Sequence, residues 1–139
     1  LTGCCEDEFQ QRVFENPEMR IEEMNQLHED LYMEYFGYSS YYEWVDITQH
    51  FESPFYYISY ATSAVSALEL WAFAEGDREA ALDAYQTICE FTVNSGYLEP
   101  LAEAGLSRPF DESTLSDLAR TITSHYLQTT EPAPNNSSS

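Results

Sequence analysis

The sequence predicts an all-α protein, a bundle of about five to six helices. Apolar residues recur at three- and four-residue spacing in most segments, and capping residues and glycines stand where helices would begin and end. No stretch of any length shows the alternation of a half-buried strand. At 139 residues with 43% hydrophobic content, one domain is expected over residues 1–128, with a disordered polar tail over 129–139.

The first helix is expected from Cys4 to about Phe14, with Cys5, Phe9, Val13 and Phe14 inward and Glu6, Asp7, Glu8, Gln10, Gln11 and Arg12 between them. It should end near Asn16-Pro17. A second helix spans about Ile21 to Phe36 along a stripe of Ile21, Met24, Leu27, Leu31 and Tyr35, and Gly37 stands where a left-handed C-cap would. The two are expected to pack as a hairpin.

From Tyr38 to Thr48 an aromatic segment could place Tyr41, Trp44 and Ile47 on one face of a short helix. Pro54 suits the first turn of the next helix, because its missing N–H is no loss there. That helix should reach about Ala74. Sixteen consecutive residues between Glu52 and Glu69 carry no charge, too few for a membrane span of roughly 20 apolar residues. With small Ala61, Ser63, Ala64 and Ala67 among Phe55, Ile58, Val65, Leu68 and Trp71, it reads as a buried central helix.

Glu75-Gly76-Asp77 reads as a stop, a left-handed cap and an N-cap. A helix then runs from Arg78 to Asn94, closed by Ser95-Gly96, and a short one from Tyr97 to Ala104 ends at Gly105. Asp111 or Ser113 caps the last, with Leu115, Leu118, Ile122 and Tyr126 on one face. The Pro-bearing polar run from Thr129 cannot bury enough apolar surface to order itself.

Charge excludes whole classes of partner. Five arginines, no lysine and 25 acidic residues leave a formal net charge of -20, a surface that repels nucleic-acid phosphates and anionic membranes alike. Three cysteines, Cys4, Cys5 and Cys89, form no disulfide framework and no CxxC pair. A reducing, cytoplasmic setting without a structural zinc is the expectation. No basic-then-apolar leader is present, so no signal peptide is expected. The chain opens at Leu1 without an initiator methionine, as expected of a piece of a longer protein.

Candidate chemistry narrows to one segment. His28-Glu29 begins the zincin pattern H-E-x-x-H, but the fifth position is Tyr32, so the helix-borne pair of imidazoles is missing and a solvated face is expected. The acidic runs, Glu6-Asp7-Glu8 among them, are likewise expected at the surface. His50 to Tyr60 is different, setting a histidine ahead of Tyr56, Tyr57 and Tyr60 in a charge-free run. Phenols near one histidine suit either a buried polar network or a cleft wall whose hydroxyls donate to a developing oxyanion.

The run from Ile47 to Ser63, ITQHFESPFYYISYATS, resembles the oligoendopeptidase F and thimet oligopeptidase-like zinc peptidases, where a histidine precedes an F-Y-x-x-x-Y-A-T-G-like helix. The likeness covers roughly Asp7 to Leu127, with the ten-residue spacing from His50 to Tyr60 as its most specific part; Ser63 departs from the usual glycine. It implies the C-terminal portion of a zincin-type oligopeptidase catalytic domain. His50 then matches the substrate-binding histidine and Tyr60 the residue that stabilises the tetrahedral intermediate, both catalytic, with Tyr57 and Tyr56 as further substrate-binding positions. The family cleaves oligopeptides with zinc held by an H-E-x-x-H helix that this chain lacks. The resemblance therefore implies zinc in the intact enzyme, no metal bound here, and a missing N-terminal zinc-binding part as partner to an inactive chain. The alternative is a non-catalytic helical interaction module derived from that fold.

Overall fold

Residues 1–40, 43–91 and 95–130 are described in the computed structural model, except for the side chain of Thr130. Among them the secondary structure is helical: α1 (Thr2–Glu15), α2 (Ile21–Phe36), a 3-10 turn at Trp44–Asp46, α3 (Gln49–Glu52), α4 (Ile58–Gly76), α5 (Arg78–Glu90), α6 (Leu98–Glu103) and α7 (Glu112–Thr130). They form two compact units, Leu1–Ala64 and Val65–Ser139. No helix among the described residues is long and apolar enough to cross a membrane.

In the first unit α1 and α2 pair as the hairpin that their stripes predict. Cys5, Phe9, Leu31 and Tyr32 form its core, flanked by Val13, Met24, Leu27, Tyr35, Phe36 and Trp44. The Arg20 backbone N–H donates to Glu23 Oε2 at 2.8 Å, satisfying an orphan donor at the start of α2, and Gly37 ends that helix at φ 76, which favours glycine. Only α1's Gly3 lets the start of α4 come so close. A Cβ there would meet Ala61 N and Tyr57 O at 3.1 Å.

Several expectations give way. Pro54 does not open a helix: α3 ends at Glu52, and Phe55 turns to φ 62 before α4 begins at Ile58. Residues with positive φ cannot continue a right-handed helix, so the tyrosine run is half turn and half helix. The Trp44 segment makes only a 3-10 turn, and Tyr41 lies outside the described residues. Helix α4, expected as the buried central helix, contains no fully buried residue; its serines, threonine and two glutamates interrupt its apolar surface. Phe14 is exposed as well.

In the second unit Ala84, Leu101, Ala104 and Leu106 make the core, with Leu70, Ile88 and Leu98 against it. Asp77 caps α5 as predicted, its side chain accepting from Ala80 N at 3.0 Å. Gly76, though, stays inside α4 rather than adopting a left-handed cap, while Gly105 does turn left-handed at φ 75 after α6. Helix α5 stops at Glu90, short of Asn94, which lies outside the described residues. The last helix continues through Thr129 to Thr130, so the polar tail does not begin where composition placed it; residues 131–139 lie outside the description.

Candidate functional site

The site is built on a buried acid. Glu6 faces inward from α1 with its side chain fully removed from solvent, one turn from Phe9 and Gln10 on the same face. Its Oε1 accepts from the Tyr32 hydroxyl at 3.0 Å and lies 3.4 Å from His28 Nε2, both on α2. Its Oε2 lies 3.0 Å from His50 Nε2, presented by α3. An isolated carboxylate in such a place would be very costly, so these partners are what make it tolerable.

Burial alone would raise the pKa of Glu6. The hydrogen bonds from His28 and His50, the charge of His28 and the Tyr32 bond outweigh that and hold its pKa down at about 2. Glu6 is therefore ionised across the ordinary pH range. The same surroundings act oppositely on Tyr32, which burial and then the Glu6 charge push well above the usual phenol value. Cys5 is raised to about 12, first by burial and then by Glu6, so it is a packed thiol rather than a nucleophile.

This corrects two expectations. Glu6 and His28 were expected on solvated faces, yet both are buried, along with Asp7 and Gln10. A signal existed for His28, which continues the Met24, Leu27 and Leu31 stripe. None existed for its pairing with Glu6, because a partner 22 residues away leaves no periodicity.

His50, the histidine picked out by sequence, is 8% exposed. Its Nδ1 is in hydrogen-bond contact with Gln10 Nε2. Gln10 Oε1 in turn accepts from the Phe55 backbone N–H at 2.6 Å, holding the left-handed turn. The His50 ring stands on Phe9 at 5.6 Å and stacks on Tyr57 at 5.9 Å, with planes 27° apart.

Beyond that ring the tyrosines come together although they do not share one helix. Tyr56 and Tyr57 precede α4 and Tyr60 lies in its first turn; Tyr60 meets Tyr56 edge to face at 5.5 Å and Tyr57 at 5.4 Å. Tyr56 and Tyr60 are half exposed, at 51% and 50%, while Tyr57 is partly buried. Burial, then the charge of Glu6 and then Tyr60, raises the Tyr57 pKa, so its hydroxyl keeps its proton. A cavity of about 420 Å³ opens beside this cluster, lined by Tyr32, Phe36, Tyr38, Asp46, Gln49 and Tyr57 among others.

The donor set does not suit a metal. Among the described residues no three His, Cys, Asp or Glu side chains converge as ligands would, and the contacts of Glu6 with its histidines are at hydrogen-bond rather than coordination distances.

No family model matches this sequence, and no curated protein matches it either. Solved structures do. A structure described as an oligoendopeptidase F, from crystals grown by microfluidic seeding, matches at TM-score 0.81 and 26% identity, covering 94% of this chain and 24% of its own. An oligoendopeptidase F from Bacillus anthracis str. Ames matches at TM-score 0.72 and 28% identity, covering 94% and 21%. PZ peptidase A with an inhibitor matches in fold at TM-score 0.82 and 23% identity, covering 94% and 25%. The chain thus spans about a quarter of the length of the structures it resembles.

Proposed function

We propose, from the premise that this chain has the fold of one part of the oligoendopeptidase F and PZ peptidase structures, that it forms the peptide-binding wall of a zinc metalloendopeptidase. In that reading the chain belongs to a larger, cytoplasmic peptidase that cleaves oligopeptides. The zinc, with its activated water, is supplied by an N-terminal part outside the matched region. Tyr60 donates a hydrogen bond to the oxyanion that develops on the scissile carbonyl. Tyr56 and Tyr57 line the path of the peptide backbone, and His50 supports substrate binding and catalysis indirectly, through Tyr57 stacked on its ring. Without the metal the chain alone is inactive, since donors with no activated water accelerate little.

The observation that carries this reading is the half-exposed Tyr56–Tyr60 pair, standing with Tyr57 over a histidine that is itself held from below. A core-packing role alone would bury those rings. The test is Tyr60→Phe in the full-length peptidase that carries this chain. Losing an oxyanion donor should lower kcat by roughly 10²-fold or more, and an unchanged kcat would remove the role.

A second reading, a helical interaction module without catalysis, is favoured by α4, whose uncharged run contains no fully buried residue. Retention of a specific partner by the chain, together with an unaffected kcat in the Tyr60→Phe peptidase, would favour it.

A further inference from the structure

The polarity of the bonds around His50 is set by a single backbone group. The Phe55 N–H can only donate, and it points at Gln10 Oε1 from 2.6 Å. That contact fixes which end of the amide is which, leaving Gln10 Nε2 turned to His50 Nδ1. An amide NH2 only donates, so Nδ1 must offer its lone pair and carry no proton. The ring proton then sits on Nε2, 3.0 Å from Glu6 Oε2, and an ionised carboxylate only accepts. An imidazolium at His50 would set one N–H against another at Gln10.

We infer that Gln10 and Glu6 lock His50 as the neutral Nε2–H tautomer with both ring nitrogens engaged, making it a positioning residue beneath Tyr57 rather than a hydrogen-bonding contact of a ligand. The relay runs one way, from the Phe55 amide through Gln10 and His50 to Glu6, where Tyr32 and His28 also converge. Its start, the Phe55 N–H, lies in the turn with φ 62 that separates α3 from α4. The relay thus ties the backbone that launches the tyrosines to the ring on which Tyr57 stacks. The positional half of this inference rests on the peptide-wall reading; the tautomer does not. Polar recognition of a bound peptide falls to the tyrosine hydroxyls.

The experiment is long-range proton–nitrogen correlation spectroscopy on the uniformly nitrogen-15-labelled chain at neutral pH. Only three histidines are present, and His50 is identified by its ring contacts with Tyr57. The expected spectrum gives His50 an unprotonated Nδ1 and a protonated Nε2. A protonated Nδ1, in either the other tautomer or the imidazolium, overturns the inference. Gln10→Glu replaces the donor by an acceptor of the same shape. It should move the Nδ1 resonance to the protonated range, and a folded variant with an unchanged ring also overturns the inference. If that variant does not fold, the unsubstituted chain still decides. These spectra are independent of turnover, so an inert Tyr60→Phe substitution would sink the peptide wall and leave the relay standing.

Discussion

Replacing Glu6 by Gln is the sharpest probe of what holds the first unit together. The carboxylate takes bonds from Tyr32 and His50 at 3.0 Å and faces His28 at 3.4 Å, all out of solvent. An amide keeps one acceptor and turns a donor toward a donor. Breaking a buried charge pair from one side costs about 3–5 kcal/mol, and each unsatisfied buried donor about 1–3 kcal/mol. A loss of about 3 kcal/mol is expected at pH 7, a large share of the roughly 5–15 kcal/mol that ordinary domains possess.

Acid provides an independent measure of the same group. The Glu6 pKa falls from 4.5 to about 2 on folding. A depressed carboxylate contributes stability that is fully present above pH 4.5 and is lost as pH falls toward 2; at about 1.4 kcal/mol per pKa unit the limb is at most roughly 3 kcal/mol deep. Urea unfolding can follow both effects through the fluorescence of Trp44, whose ring lies 5.6 Å from Phe9, with Trp71→Phe removing the second emitter. A Glu6→Gln chain within about 1 kcal/mol of the parent at pH 7, showing the same acid limb, would refute the reasoning.

Two further substitutions test the frame around the site. Gly3→Ala sets a Cβ 3.1 Å from Ala61 N and Tyr57 O, backbone atoms that cannot swing aside; a loss of about 1–3 kcal/mol is expected from thermal unfolding, and an unchanged midpoint would show that α4 shifts freely. In the second unit Asp77→Ala deletes the acceptor of the Ala80 N–H and should cost about 1 kcal/mol in denaturant unfolding, whereas no change would mean that the α5 start is held by other contacts.

Periodicity carried the architecture a long way. The stripes of α1 and α2, the left-handed glycine at position 37 and the Asp77 cap are local facts, and a sequence states local facts directly. The tyrosine cluster was legible as composition but not as geometry. One helix starting at Pro54 was expected to carry all three tyrosines, whereas the Phe55 turn brings Tyr56 to Tyr60 from outside α4. Glu6 was hidden for a different reason. A lone acid in an acid-rich chain looks like surface, and what buries it is two bases, 22 and 44 residues distant, whose choice of partner is tertiary.

Helix α4 also bears on how copies of this molecule behave toward one another. A long helix rich in apolar residues, none of them fully buried, invites self-association, and the opposing force is electrostatic repulsion between chains of formal charge -20. That repulsion vanishes near the isoelectric point of about 4.1, where folded Glu6, with its pKa held down at about 2, is still ionised and bonded to its partners. Acid therefore removes colloidal protection first and internal anchoring only at lower pH. Dilute chain and low ionic strength are the conditions that separate clumping from unfolding.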